Sequence, residues 1–361
     1  MSEAKKSTLV LVAERAGVSI ASVSRVLNGL PASPQLTERV REAADALGYV
    51  PDASARTLKT GRTDQIALAV ADVGNPVYVK MMHEVSRVIG KAGYRLVLSS
   101  TGSDAEGQID LLGSLNRGYA DGLLLSPLRV TEPLVEALQH SRLPIVIIGS
   151  LPEGVELDSV RADSAAGMGL AVEHLAGQGR RRIALVNGPV DTVPGAARLA
   201  GYLQATDRFG LATSADLQVT ASDFTYKAGR KAVARLLSQA TPDAIVCAND
   251  LLAVAALKEL ASRGLRVPAD VSVVGMDDTE AAELADPSLT SVDLGSVKRA
   301  KAAARLLIRR IGTPDAPVKQ LVIAPTLSVR ESSVSVTAAV SLSEAAAASP
   351  LPTGLETEVT A

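Results

Sequence analysis

The stretch Val12-Ala13-Glu14-Arg15-Ala16-Gly17-Val18-Ser19-Ile20-Ala21-Ser22-Val23-Ser24-Arg25-Val26-Leu27-Asn28 holds two short helical patterns parted by one glycine. Leu9 to Ala16 reads as a helix capped by Thr8, Gly17 breaks it, and Ser19 caps a second helix from Ile20 to Leu27. A side-chain oxygen at such a position takes up a free N–H of the first turn. Two helices joined by a tight glycine turn form a helix-turn-helix. Val12, Ala13, Val18, Val23, Val26 and Leu27 are spaced to lock the pair together, which leaves Ile20, Ala21, Ser22, Ser24, Arg25 and Asn28 facing outward. Small residues and hydroxyls allow close approach to a phosphate backbone, and an arginine can pair with O6 and N7 of guanine. A third helix follows, with Ser33 as cap, Pro34 at its first position, an apolar stripe of Val40, Ala43, Ala44 and Leu47, and Gly48 as its stop. On pattern alone a small all-α oligomerisation module stays open as the other reading.

Around this module the chain is 361 residues long, enough for two or three domains at ~150 residues each. Hydrophobic residues make up 47% and charged residues 21%, which excludes a disordered chain. The net charge of −2 excludes a protein coated in positive charge. It averages a basic end with an acidic remainder: residues 1–62 carry nine basic and six acidic side chains, and the rest is acidic by five. Cys247 is the single cysteine, and His83, His140 and His174 are scattered, so neither a disulfide framework nor a zinc set can be assembled. No apolar run approaches the ~18 residues of a membrane span, and a cytoplasmic protein is expected.

From Gln65 to about Arg330 apolar strand-length runs alternate with amphipathic helices. The runs are Ile66–Val70, Arg95–Leu98, Gly122–Leu125, Ile145–Ile148, Ile183–Val186, Ala244–Cys247 and Val271–Val274, with helical stretches such as Tyr78–Ala92 and Ala165–Gly177 between. Buried strands separated by helices predict parallel sheets covered on both faces, and there are enough strands for two. Gly167-Met168-Gly169 lies inside a helical pattern and is no dinucleotide fingerprint. No phosphate-binding loop or nucleophile triad can be assembled, and Asp277-Asp278 lacks further metal ligands. The reading is therefore not an enzyme, with no cofactor and no metal.

The quoted stretch resembles the headpiece of the lactose-repressor/galactose-repressor (LacI/GalR) family of bacterial transcription regulators. Tyr49-Val50-Pro51 and Ala55-Arg56-Thr57-Leu58-Lys59-Thr60-Gly61 continue the likeness through that family's hinge, and it extends over residues ~8 to 332. The resemblance implies an α/β protein: an all-α helix-turn-helix headpiece, then a periplasmic-binding-protein-like core of two doubly wound parallel-sheet subdomains. The implied domains are a headpiece at 1–50, a hinge helix and linker at 51–63, a core at 64–332 and a disordered tail at 333–361. Within the core the N-subdomain would be 64–161 and 291–323 and the C-subdomain 162–290 and 324–332, with crossings at about Ala162, Thr290 and Ala324.

Carried over by position, Ile20, Ala21 and Arg25 match residues facing base edges in the major groove. Ser19, Ser22, Ser24, Asn28, Ser33 and Tyr49 match positions nearer phosphates, although the serines could serve as caps alone and Arg25 could pair with phosphate only. Ala55 and Leu58 join the DNA contacts, Leu58 matching a leucine wedge in the minor groove. The hinge from Ala53 to Lys59 is too short to be helical by itself and would order on DNA beside a partner chain. Two positions depart from the family pattern: Leu11 stands where Asp is common, and Asp52 where Asn is common.

In the core, the resemblance places a small-molecule effector between the subdomains, outside the carboxyl ends of the strands. Asp72, Asn75, Tyr78, Arg198, Phe224, Asn249 and Asp277 fall there. Arg198 matches the arginine that clamps the effector, and Phe224 and Tyr78 are the rings able to stack on a sugar. The expected protein is a homodimeric regulator, a repressor, on a near-palindromic double-stranded DNA operator, with a carbohydrate effector and no membrane partner. The tail lacks leucine heptads, so no coiled-coil tetramer is expected. A sugar-binding module without DNA function is the alternative, disfavoured by the basic headpiece and the lack of a leader-like N-terminus.

Overall fold

The structure is a computed structural model that describes residues 8–50 and 61–334. The hinge expectation for Ala53–Lys59, with Ala55, Leu58 and Asp52, falls outside the described residues, as does the tail from residue 335. The chain divides into two compact units, residues 1–63 and 64–361.

The first unit is three helices, α1 (Leu9–Ala16), α2 (Ile20–Leu27) and α3 (Pro34–Ala46). Each begins as its sequence dictates: Thr8, Ser19 and Ser33 accept from the backbone N–H three residues on. Gly17 ends α1 in the left-handed region at φ 63°, where a side chain would be strained. Val12, Ala13, Ala16, Val23, Val26, Val40, Ala43 and Ala44 are the buried core of the bundle.

The second unit holds two six-stranded sheets. The first contains β1 (Gln65–Val70), β2 (Arg95–Ser100), β3 (Gly122–Ser126), β4 (Ile145–Ile148), β5 (Ser159–Ala162) and β11 (Gln320–Ile323), all parallel, in the order β11-β5-β4-β3-β1-β2. Along β1, Ile66, Leu68 and Val70 pack on one face against α4 (Pro76–Gly90) and α12 (Ser296–Gly312). Ala67 and Ala69 pack on the other face against α5 (Ala105–Leu115) and α6 (Glu132–Gln139). That alternation is the pleat of a sheet buried on both sides.

The second sheet has the order β12-β10-β9-β8-β6-β7, made from β6 (Ile183–Asn187), β7 (Gln218–Thr220), β8 (Ala244–Cys247), β9 (Ser272–Met276), β10 (Thr290–Asp293) and β12 (Thr326–Ser328). Its strands are parallel except β12, which runs against β10. Helices α7 (Ser164–Gly177) and α8 (Val193–Arg208) cover one face, and α9 (Tyr226–Gln239) and α10 (Asp250–Ser262) the other. A short α11 (Glu280–Glu283) follows β9. Gly167 lies in α7, where it brings the helix against Val292 and Leu294, so the Gly-x-Gly is a packing feature.

The chain passes between the two lobes after β5, after β10 and between β11 and β12. The second passage follows Asp293 rather than Thr290, because residues 290–293 pair with β9 and β12 in the second sheet. The ordered core also outlasts the expected end at 332. Ser333 is buried with its Oγ 2.7 Å from His174 Nε2 and 2.6 Å from Thr290 Oγ1, and Val334 is buried beside it. These contacts replace the disordered start expected for the tail. Among the described residues no helix is long and apolar enough to cross a membrane.

Candidate functional site

In the first unit α2 turns Ile20, Ala21, Arg25 and Asn28 to solvent, with Ile20 47% exposed, while Val23 and Val26 face inward. A large apolar side chain left this exposed at the start of a capped helix is a surface made for contact. Arg25 is exposed, with no acidic partner among the described residues, so its guanidinium fork is available. Ser19 Oγ accepts from Ser22 N–H at 3.1 Å and lies 2.9 Å from Ser22 Oγ; Ser33 Oγ accepts from Leu36 N–H at 3.3 Å. Their caps use acceptor capacity, and a capping hydroxyl still has its own proton to donate. Asn28 is partly committed: its Nδ2 donates to Ser24 O at 2.6 Å and Ser24 Oγ at 3.3 Å. Tyr49 is half-buried against the helical core. Arg39, which sequence reasoning did not single out, donates from Nη2 to Ala16 O at 2.5 Å and Gly17 O at 3.3 Å. It ties α3 to the turn that sets the angle of α2.

In the second unit the carboxyl ends of the strands of both sheets border a cavity of about 180 Å³. Six of the seven expected residues line it: Asn75, Tyr78, Arg198, Phe224, Asn249 and Asp277. Asp72 does not. Its Oδ1 turns back to accept from Gly74 N–H at 2.8 Å, and the residue borders an adjoining hollow of about 200 Å³.

Arg198 and Asp277 are brought together from different elements. Thr192 caps α8, accepting from Gly195 N–H at 3.1 Å, and Asn187 Nδ2 donates to Gly195 O at 2.9 Å, so the first turn of α8 is pinned to the end of β6. Arg198 stands one turn further on. Asp277 follows β9 with φ 100°, and Asp278 with φ 46°. Two successive non-glycine residues in this region cost about 1–3 kcal/mol each and persist only where neighbours hold them. Here Asp277 N–H donates to Val292 O at 2.8 Å, and Asp278 is fixed by Ser291 and Ser328 hydroxyls and by Arg330 at 2.7 Å. The strained turn puts the Asp277 carboxylate 3.5 Å from Arg198 Nη2, with both side chains under a tenth exposed.

Burial pushes the Asp277 carboxyl above the usual carboxylate range, and the Arg198 and Arg299 charges pull it back. Burial likewise draws Arg198 down, opposed chiefly by Asp277. Behind the pair, Asp250 is lifted to about 7 by burial and then by the Asp277 charge, against hydrogen bonds from Ser291 and Thr279. Thr279 donates its N–H and Oγ1–H to Asp250 Oδ2 at 2.7 and 2.8 Å, and Ser291 Oγ donates to Oδ1 at 2.5 Å.

The aromatic side of the cavity is also built. Phe224 is half-buried, with the Arg198 guanidinium 5.8 Å from its ring centre, within cation–π range. Its ring lies on Gly188, where an added Cβ would come within 2.2 Å of it. Asn249 Nδ2 donates to Phe224 O at 2.9 Å while Asn249 Oδ1 caps α10. Asn249 thus orders this wall, with one amide proton left to spend. Tyr78 Oη is 3.3 Å from Ser126 Oγ, and burial raises its pKa. Asn75 caps α4, through Val77 N–H, beneath Tyr78.

At the mouth, Arg129 from the first lobe pairs with Asp191 of the second at 2.7 Å, and Val193 N–H donates to Leu128 O at 2.9 Å. Lys80 also reaches across to Asp278 O. Sequence reasoning missed Arg299, which lines the cavity from α12. Its signal was readable, since it falls on the same helical face as the buried Ser296, Ala300 and Ala303.

The family of bacterial regulatory proteins, lacI family, matches residues 8–52, and the periplasmic binding protein-like domain matches residues 172–333. The chain is 39% identical to the HTH-type transcriptional regulator CelR of Thermobifida fusca, covering 92% of this chain and 100% of that one. It is 34% identical to the ribose operon repressor of Escherichia coli strain K12, over 90% and 99%. Among solved structures, a CelR–cellobiose complex superposes with a TM-score of 0.69 at 37% identity, covering 90% and 99%. A lac repressor dimer bound to operator and an anti-inducer superposes with a TM-score of 0.82 at 25% identity, covering 92% and 100%. With its helix-turn-helix unit and two-lobed core, the chain belongs to the LacI family of DNA-binding transcriptional regulators.

Proposed function

We propose that this regulator is a repressor that binds a near-palindromic operator as a homodimer and releases or grips it according to a sugar-class effector held between its core lobes. The observation that carries the reading is the buried Arg198–Asp277 pair beside the Phe224 ring. A guanidinium, a carboxylate and an aromatic face together offer donors, an acceptor and an apolar platform, the combination a sugar ring requires. Asn75, Tyr78 and Asn249 complete the effector site, with Asp72 at its outer edge. On DNA, Ile20, Ala21 and Arg25 read base edges. Ser19, Ser22, Ser24, Asn28, Ser33 and Tyr49 fix the phosphates, and Ala55 and Leu58 act at the operator centre. The cellobiose seen with CelR and the ribose operon named for another relative favour a carbohydrate. The protein works in the cytoplasm, where its operator is.

Effector and operator are coupled by linkage: a ligand that favours one arrangement of the lobes changes DNA affinity by its differential affinity for the two states. The test is a salt-controlled gel shift on the protein's own upstream DNA, with and without a panel of sugars. A sugar that shifts the midpoint, together with an equal reciprocal shift in sugar affinity on adding operator, supports the reading. Operator binding indifferent to every sugar that binds the core overturns it.

A further inference from the structure

The cavity wall holds more cationic donors than its acceptors can use. From the first lobe, Arg299 donates from Nε to Leu294 O at 3.1 Å, and its terminal nitrogens have no protein partner among the described residues. From the second lobe, Arg198 keeps its Nε buried with no hydrogen-bond partner, and its pairing with Asp277 is long at 3.5 Å. The remaining acceptors are spent elsewhere. Asn249 Oδ1 accepts from Leu252 N–H, and the carboxylate of Asp163 caps α7 by accepting from Ala166 N–H at 3.0 Å. Two guanidiniums from opposite lobes thus converge with one carboxylate, Asp277, in reach of their charges.

A neutral sugar hydroxyl brings a donor with every acceptor it offers, whereas a carboxylate or phosphate brings acceptors only. Buried charge without a counter-charge is costly, and burial draws both arginines below their usual range. An anion between them offsets that cost and matches the planar fork geometry. We propose that the effector is an acidic sugar, of about one ring in size, whose anionic group sits between Arg198 and Arg299. The proposal rests on the sugar reading above and names Arg299 as the residue that selects the acid. The cavity of about 180 Å³ fits a single ring, being smaller than the ~300–1,000 Å³ of drug-sized sites.

The test uses the full-length chain in calorimetric titrations at constant ionic strength. Glucose is compared with gluconate and glucose 6-phosphate, and ribose with ribonate and ribose 5-phosphate. One acid or phosphate is expected to bind at least tenfold tighter than its neutral parent, and which arm responds tells carboxylate from phosphate. Arg299→Met should remove that preference while Arg299→Lys keeps part of it, and the parent comparison in the unaltered protein stands even if Arg299→Met does not fold. A neutral sugar bound as tightly as its acids overturns the acidic effector and leaves the sugar reading intact. Binding of none of the six overturns both.

Discussion

Arg198 Nη2 and Asp277 Oδ1 stand 3.5 Å apart, one on the second turn of α8 and the other on a left-handed residue after β9. Neither charge has another buried partner of opposite sign within salt-bridge distance among the described residues. Removing one leaves the other stranded, so the pair ties effector recognition to the stability of the empty protein.

Arg198→Ala is therefore expected to abolish sugar binding and also to destabilise the apo protein. The loss should be roughly 3 kcal/mol at pH 8, and smaller at pH 5, where the stranded carboxyl takes up a proton. Adding Asp277→Asn to Arg198→Ala should restore most of the stability and none of the binding. Urea titrations at the two pH values with calorimetry check both. Equal losses at pH 5 and 8 would show that Asp277 does not feel Arg198.

Gly188→Ala places a Cβ where the Phe224 ring lies. Because the ring is half-exposed it can swing away, and the stability cost should stay within about 1–3 kcal/mol. Sugar affinity should fall at least tenfold. A variant that binds as well as the parent would show that Phe224 is no platform for the ligand.

Asp250 provides a pH signature. Its folded-state pKa is raised to about 7, so the folded protein binds this proton more tightly than the unfolded chain does. The stabilisation is complete below the ordinary carboxylate range and is lost as pH rises through 7. Asp250→Asn can keep the bonds from Thr279 while its amide donates to the Ser291 hydroxyl. The stability of the parent minus that of the variant should fall between pH 4 and 7, by up to about 1.4 kcal/mol per pH unit. Parallel profiles would show that Asp250 is ionised throughout that range.

Arg25→Ala should weaken operator binding by ~1–3 kcal/mol and relax base preference at one symmetric position of the operator. Gel shifts on single-base operator variants distinguish this from a phosphate contact, for which the loss is the same on every sequence.

What could be read in the chain follows from where its signals are local. The headpiece was legible helix by helix, because Thr8, Ser19, Ser33 and Gly17 act on their own neighbours. The seven apolar runs all lie in sheet strands, since both faces of those strands are buried. Strands β5, β7, β10, β11 and β12 were not legible: they have three or four residues, carry Ser, Thr, Gln or Arg, and three of them are sheet edges. Missing β10 moved the second passage between lobes. Six of the seven expected core residues do border the cavity, whereas Asp72 is turned away by its own turn, a detail of side-chain direction that composition does not carry. Arg299 escaped notice because helix α12 reaches the cavity only through the tertiary fold, although an arginine on a buried helical face was the clue.

The three passages between lobes have a consequence for how the protein is made. The first lobe begins at residue 65, yet its sheet lacks an edge and its core lacks a covering helix until α12 and β11 have been translated. The second lobe is nearly complete by Asp293 and can bury its own core while the first still waits. Vectorial synthesis from the ribosome thus favours the later-encoded lobe as the earlier folding unit. Residues 64–162 emerge first and finish last, with Ile66, Leu124 and Val146 exposed to the cell in the interval.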